Sequence, residues 1–158
     1  MLWTLLGILL TASTVQAQAV SDLDRFKLFN ACRPMELVVE ELRPNAQEIG
    51  LTEERIQLAA ESRLRAARLY TESREKANYT YLYVYIHVVG HVFTIVVSYY
   101  KLVTDQVNNS NGLAITWIAD STGTHGGDAG FIIQGLSSHL DEFLAGYLRV
   151  NESACNAR

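Results

Sequence analysis

The stretch that decides the fold is residues 80–100, TYLYVYIHVVGHVFTIVVSYY, which contains no Asp, Glu, Lys or Arg. It is rich in Tyr, Val, Ile and Thr, residue types that favour β-strands. Gly90 and His91 near its centre predict a two-residue hairpin turn with glycine in the first position. One face of that hairpin then collects the pairs Val88–Phe93, Ile86–Ile95, Val84–Val97 and Leu82–Tyr99. The segment therefore predicts an antiparallel hairpin with one apolar face.

The opposite face of this predicted hairpin carries tyrosines. Tyr81, Tyr83 and Tyr85 alternate along the first strand, Tyr79 precedes them, and Tyr100 stands opposite Tyr81. Tyrosine supplies rigid apolar area with a polar tip and is enriched at protein interfaces. We interpret this face as a contact surface for a protein partner or for self-association. The alternative is a solvated sheet stabilised by cross-strand aromatic pairs.

An uncharged run of this length also raises the hypothesis of a membrane-inserted protein, with residues 80–100 in the bilayer. The run contains a single Leu, and His87, Gly90 and His91 lie at its centre. Polar groups are most costly at the bilayer centre, and membrane helices favour Leu, Ile, Phe and Ala. We therefore expect no stable membrane span in the mature protein.

Two further strands are predicted outside the hairpin. Residues 35–42 alternate apolar and acidic side chains between two prolines, which belong at strand ends. Residues 113–119 form the other candidate, with Leu113, Ile115 and Trp117 on one side.

Two helices complete the predicted elements. Thr52 is a candidate N-cap for a helix that runs to about Tyr70. The last helix is predicted to fade near Asn151, and its apolar stripe consists of Ile133, Leu136, Leu140, Phe143, Leu144, Tyr147 and Leu148. The order β-α-β-β-β-α predicts an α+β fold in two layers, with two helices on one face of a four-stranded, mostly antiparallel sheet.

The amino terminus predicts export. Residues 2–10, LWTLLGILL, form an apolar run too short to span a bilayer, and small residues that follow suit cleavage after Ala17 or Ala19. We therefore predict a signal peptide over residues 1–19. Residues 20–158 are predicted to be a single α+β domain, because that length has room for one core.

The two cysteines, Cys32 and Cys155, lie near opposite ends of the predicted domain. In an exported protein this pair predicts a disulfide, and the expected location is periplasmic or secreted. Sequons at Asn78, Asn108 and Asn151 would matter only in a eukaryotic secretory pathway. The formal net charge of −4 provides no basic footprint, so we expect no nucleic-acid partner.

A glycine-rich stretch, STGTHGGDAG over residues 121–130, is predicted as the loop between the last strand and the last helix. Backbone N–H groups before a helix attract anions. The candidate anion or ligand residues are Gly123, Thr124, His125, Gly126, Gly127 and Asp128. The glycine spacing fits neither the P-loop nor the dinucleotide fingerprint. The alternative is a flexible connector in which Asp128 or Thr124 caps the helix.

The histidines support a second hypothesis, a small metal-dependent or hydrolytic enzyme that uses His125 and Asp128. His87 is a possible further ligand, and Ser121 would be the nucleophile of a hydrolytic set. His87 and His91 have zinc-ligand spacing only on a helix, and the predicted hairpin separates them. We therefore expect a non-catalytic protein, with no catalytic residue, metal site or cofactor.

The element order behind an export signal resembles the small envelope proteins of Gram-negative bacteria that assist lipid or lipopolysaccharide transport. Those families pair a sheet with two helices and act by binding partner proteins or lipid. Cys32-Arg33-Pro34, the helix at residues 52–70 and the Ser-Thr-Gly-Thr-His-Gly loop are also similar to uncharacterised exported proteobacterial proteins. The resemblance implies an exported accessory protein for binding or envelope assembly.

Overall fold

The structure, a computed structural model, describes residues 19–158. The predicted signal peptide lies outside the described residues, apart from Ala19. The described elements are α1 (Asp22–Leu28), β1 (Glu36–Val39), α2 (Pro44–Glu48), α3 (Glu53–Ala66), β2 (Tyr81–Val89), β3 (Val92–Thr104), β4 (Asn111–Thr124) and α4 (Ala129–Asn156).

The four strands form one mixed sheet in the order β1-β2-β3-β4. β1 and β2 are parallel because the crossover through α2 and α3 returns the chain in the same direction, and the other two pairings are antiparallel. The α+β class is confirmed. The described chain has four helices rather than the predicted two, because α1 and α2 are short helices that the apolar pattern did not reveal.

The β2–β3 hairpin has the predicted register, from Tyr81–Tyr100 to Val88–Phe93. Gly90 has a φ of +57°, whereas His91 does not adopt a positive φ, which fits a type II′ turn. All eight side chains of the predicted apolar face are buried. Since α3 and α4 pack on the sheet, this face becomes the core between the two layers.

The two long helices begin as their capping residues predict. Thr52 Oγ1 accepts a hydrogen bond from the Arg55 N–H, and Asp128 Oδ1 accepts one from the Gly130 N–H. α3 ends at Ala66, before the predicted Tyr70, and Arg68 then takes a left-handed backbone with a φ of +59°. α4 continues past the predicted end at Asn151 and includes Cys155.

β4 contains a bulge that corrects one prediction. Its pairing with β3 skips Thr116, so the alternation of side chains reverses at that residue. Leu113 and Ile115 therefore lie on the tyrosine-bearing side of the sheet, whereas Trp117 lies on the helix side with its ring 5.1 Å from that of Phe143. The prediction that the three apolar residues of this strand share one side was wrong.

The predicted disulfide is confirmed, with Cys32 and Cys155 bonded and their Cα atoms 5.1 Å apart. It joins the segment before β1 to the last turn of α4. A disulfide indicates a non-cytoplasmic environment. Residues 80–100 form the hairpin, and no helix within residues 19–158 has both the length and the apolar character needed to cross a membrane.

Asn151 lies beside this disulfide with only 1% of its surface exposed. Its Oδ1 accepts hydrogen bonds from the N–H groups of Asn30 and Cys32, at 2.9 and 3.2 Å. Its Nδ2 donates to the carbonyl oxygens of Leu28 and Tyr147, at 2.9 and 2.8 Å. The side chain thus satisfies four backbone groups where α4 meets the segment that precedes β1.

The first prediction concerns this amide. Asn151→Ala should lower the free energy of unfolding by about 3 kcal/mol, because it leaves several buried backbone groups without partners. Asn156→Ala, an exposed position in the same helix, should change stability by less than about 0.5 kcal/mol. Urea denaturation of both oxidised variants measures the difference. Equal losses in the two variants would contradict the stabilising role assigned to the Asn151 amide.

Candidate functional site

The sheet face opposite α3 and α4 carries exposed aliphatic side chains and mostly half-buried tyrosines, and no element of the described chain lies across it. Its aliphatic members are between 37% and 54% exposed: Val38, Leu102, Leu113, Ile115 and Ile118. The aromatic members are Tyr79, Tyr81, Tyr83, Tyr85 and Tyr100. We call these ten residues the tyrosine face. Its β2–β3 part follows the predicted register, and the bulge at Thr116 adds Leu113 and Ile115 of β4 to it.

The tyrosines of this face pack against each other. Tyr81 and Tyr100 are directly opposite in the ladder, and their rings stack at 4.5 Å between centroids. Tyr83 approaches Tyr100 edge-on at 6.1 Å. Contacts of this kind hold the rings in defined positions, so the three side chains form a rigid aromatic platform.

A shallow depression of about 280 Å³ borders this platform. It is lined by Glu36, Val38, Arg74, Tyr79, Tyr81, Tyr83 and Leu113. Arg74 Nε lies 3.4 Å from Glu36 Oε2, so the two charges at its edge are paired. The depression therefore offers aromatic and aliphatic walls with a compensated charge pair.

Two carboxylates lie at the border of the tyrosine face. The Tyr83 hydroxyl donates a hydrogen bond to Glu40 Oε2, and this bond, followed by burial, raises the pKa of Tyr83 to about 12. Asp120, in β4, is the other carboxylate and is exposed. Glu36 is paired with Arg74, whereas neither Glu40 nor Asp120 has a salt-bridge partner among the described residues, so both add negative charge to the border.

The glycine-rich stretch differs from the predicted loop. β4 runs through Thr124, and Gly123 pairs with Phe93 in the ladder, so the first four residues of the stretch are strand. The turn itself is short. Asp128 is the N-cap of α4, in agreement with the predicted alternative in which Asp128 or Thr124 caps the helix. Its carboxylate occupies the helix N-terminus, where an added anion would meet negative charge.

His125 braces this turn against the hairpin. The side chain is 4% exposed, Nε2 lies 2.9 Å from the Gly90 carbonyl oxygen, and Nδ1 accepts a hydrogen bond from the Gly127 N–H. Nε2 must therefore carry the proton, so both ring nitrogens already have partners. Across residues 19–158, no group of three or more His, Cys, Asp or Glu side chains is arranged to hold a metal ion.

The structure pairs Ser121 with His139 rather than with His125. Ser121 Oγ lies 2.8 Å from His139 Nε2, at the boundary between β4 and α4. The sequence contains no signal for this pair, because the two residues belong to different elements. A catalytic triad also needs a group that orients the base. Among the hydrogen bonds of the described residues, none involves the other ring nitrogen of His139.

Comparison with known proteins adds no assignment: no protein-family model matches the chain, and neither a curated protein nor a solved structure does. The geometry described above is therefore the basis for any functional proposal.

The second prediction concerns the phenol of Tyr83. Because its folded pKa of about 12 is above the ordinary value of 10.0, the hydrogen bond stabilises the fold below pH 10.0, and this stabilisation is lost as the pH rises through about 12. Glu40→Gln should move the titration of Tyr83 toward 10.0. The shift is measured by titrating the tyrosinate absorbance of the wild-type protein and of Glu40→Gln. From each titration, that of the same protein carrying Tyr83→Phe is subtracted, which leaves the signal of Tyr83. An unchanged titration in Glu40→Gln would contradict the assigned cause.

Proposed function

We propose that this chain is an exported, non-catalytic binding protein that holds a protein partner on the tyrosine face. The observation that carries the proposal is the exposed apolar area on that face, which no described element covers. Large contiguous apolar patches on a protein surface mark interaction sites, because their exposure to water is unfavourable. Tyrosines fixed by mutual packing lose little conformational entropy on binding, which favours their use as anchors.

The charges at the border support a particular class of partner. Glu40 and Asp120 are acidic, and Arg74 is already paired with Glu36. A second copy of the chain would bring the same acidic groups to the same border. We therefore propose a partner with an apolar patch bordered by Lys or Arg, whose cations can also lie over the tyrosine rings.

The predicted signal peptide and the disulfide between Cys32 and Cys155 support a periplasmic or secreted location for this binding. An accessory role in envelope assembly is the biological context that the resemblance of the element order implies. Neither His125 nor Asp128 supports the enzymatic alternative, because the first braces a turn and the second caps a helix.

The third prediction tests the face in an expressing Gram-negative cell. A photoreactive benzophenone amino acid at the position of Val38 should cross-link a partner, whereas the same group at the position of Leu58 should not. Val38 lies on the tyrosine face, and Leu58 is 71% exposed on α3 in the helix layer. Mass spectrometry of the cross-linked band identifies the partner and its contact residues.

Two matched variants test which surface binds the partner. The triple variant combines Tyr81→Thr, Tyr83→Thr and Tyr85→Thr, and the control variant carries Leu58→Thr alone. Threonine keeps the strand propensity of these β2 positions, so the sheet should form in the triple variant. The triple variant should lose the cross-link at position 38, and Leu58→Thr should retain it. Equal cross-linking at positions 38 and 58 would overturn the proposal. A cross-linked product with twice the mass of the chain would show self-association and would overturn the proposal of a foreign partner.

A further inference from the structure

β4 is an edge strand with an unusual amount of open backbone. It pairs with β3 on one side only and is 14 residues long. Edge strands are usually short or protected by Pro, Lys, bulges or a covering element. Residues 117–124 of β4, WIADSTGT, contain neither Pro nor Lys. Just before this stretch, Thr116 Oγ1 donates a hydrogen bond to the Lys27 carbonyl oxygen of α1, at 2.7 Å. The bulge and α1 therefore close the edge at the Trp117 end of the stretch.

The hairpin register determines which backbone groups of β4 point outward. The residues that flank a two-residue turn form a hydrogen-bonded pair, and such pairs alternate along an antiparallel ladder. Carried across β3, this alternation directs the N–H and C=O groups of Trp117, Ala119, Ser121 and Gly123 toward β3. The outward groups belong to Ile118, Asp120, Thr122 and Thr124. None of the hydrogen bonds of the described residues satisfies these outward groups.

A cleft lies directly beneath this open edge, between β4 and the first turns of α4. Its volume is about 380 Å³, and its lining consists of Phe93, Ser121, Thr122, Gly123, Phe131, Gln134, Gly135 and Ser138. The cleft exists because the helix-side residues of β4 here, Ala119, Ser121 and Gly123, are small. Phe93 and Phe131, whose ring centroids are 5.9 Å apart, form an apolar part of its wall.

We propose that this edge binds an extended peptide segment of a partner protein as a fifth strand of the sheet. The backbone of such a strand would pair with the outward groups of residues 118–124. Every second side chain would then point to the helix layer, and one of them would enter the cleft beside Phe93 and Phe131. The geometry therefore requires a peptide with a large apolar residue at that inward position.

A second copy of this chain fits the edge less well than a foreign peptide. In an antiparallel pairing of two β4 strands, the inward residues would again be Trp117, Ala119, Ser121 and Gly123. The last three are too small to fill the cleft, and the ring of Trp117 already packs within its own chain, 5.1 Å from the ring of Phe143. This site is also separate from Val38, where the tyrosine face is tested, so either proposal can fail while the other stands.

The experiment uses the oxidised mature protein, labelled with ¹⁵N, and a blocked peptide Thr-Val-Thr-Leu-Thr-Val-Thr as the probe. The peptide should slow amide hydrogen exchange at Ile118, Asp120 and Thr122 by about tenfold or more, because these N–H groups acquire partners. In a control peptide, N-methyl groups replace the N–H hydrogens of alternate residues, on the peptide edge that would pair with β4. This peptide should give no such protection, because it cannot form the strand hydrogen bonds. Unchanged exchange at saturating peptide, or equal effects of the two peptides, would overturn the proposal.

Two variants separate strand pairing from adventitious apolar contact, and this is the fourth prediction. Thr122→Pro removes one outward N–H while leaving the β3–β4 ladder intact, and Thr122→Val keeps that N–H. Ser138→Trp fills the cleft from an exposed position on α4. Peptide affinity should fall at least about tenfold in Thr122→Pro and in Ser138→Trp, and should be retained in Thr122→Val. The ¹⁵N spectrum of each variant checks the fold.

Equal affinity in Thr122→Pro and Thr122→Val would overturn the fifth strand. Protection of the same amides without peptide, together with a concentration-dependent doubling of mass, would overturn the foreign peptide in favour of a second copy.

Discussion

The pairing of β2 with β3 across the two-residue turn at Gly90 and His91 is the constraint on which the rest of the structure depends. Side chains alternate between the faces of a strand, so a slip of one residue would exchange the two faces of the hairpin. Tyr81 and Tyr83 would then turn into the core, and Leu82 and Val84 would turn outward. The same register also determines, through the alternation of hydrogen-bonded pairs, which backbone groups of β4 remain open.

A second constraint acts at the far end of α4. The disulfide between Cys32 and Cys155 and the four hydrogen bonds of Asn151 hold the last turns of this helix against the segment that precedes β1. At its beginning, α4 is held by the cap of Asp128 and by the turn that His125 braces. With both ends held, α4 lies across the helix side of β3 and β4. The cleft at the open edge is a consequence of that path and of the small residues of β4.

The two proposed binding surfaces share a physical origin. In each, the chain presents groups that have no counterpart among its described residues: apolar and aromatic side chains on the tyrosine face, and backbone N–H and C=O groups along the β4 edge. By contrast, three of the polar residues that first indicated chemistry have internal partners. His125, Asp128 and Ser121 are engaged in a turn, a helix cap and a hydrogen bond to His139. Their arrangement stabilises the fold around the surfaces.

The sequence by itself determined the α+β class, the register of the hairpin, the faces of β2 and β3 and the pairing of Cys32 with Cys155, because these follow from local alternation, turn chemistry and cysteine count. Only the tertiary structure decided that Thr116 forms a bulge, that β4 extends to Thr124, and that His139 meets Ser121. A bulge changes the face of every residue beyond it, and contacts between distant elements depend on how α4 packs across the sheet. The tyrosines were visible in the pattern, whereas the exposed side chains of Leu113 and Ile115 and the cleft beneath β4 arise from packing, which no local pattern encodes.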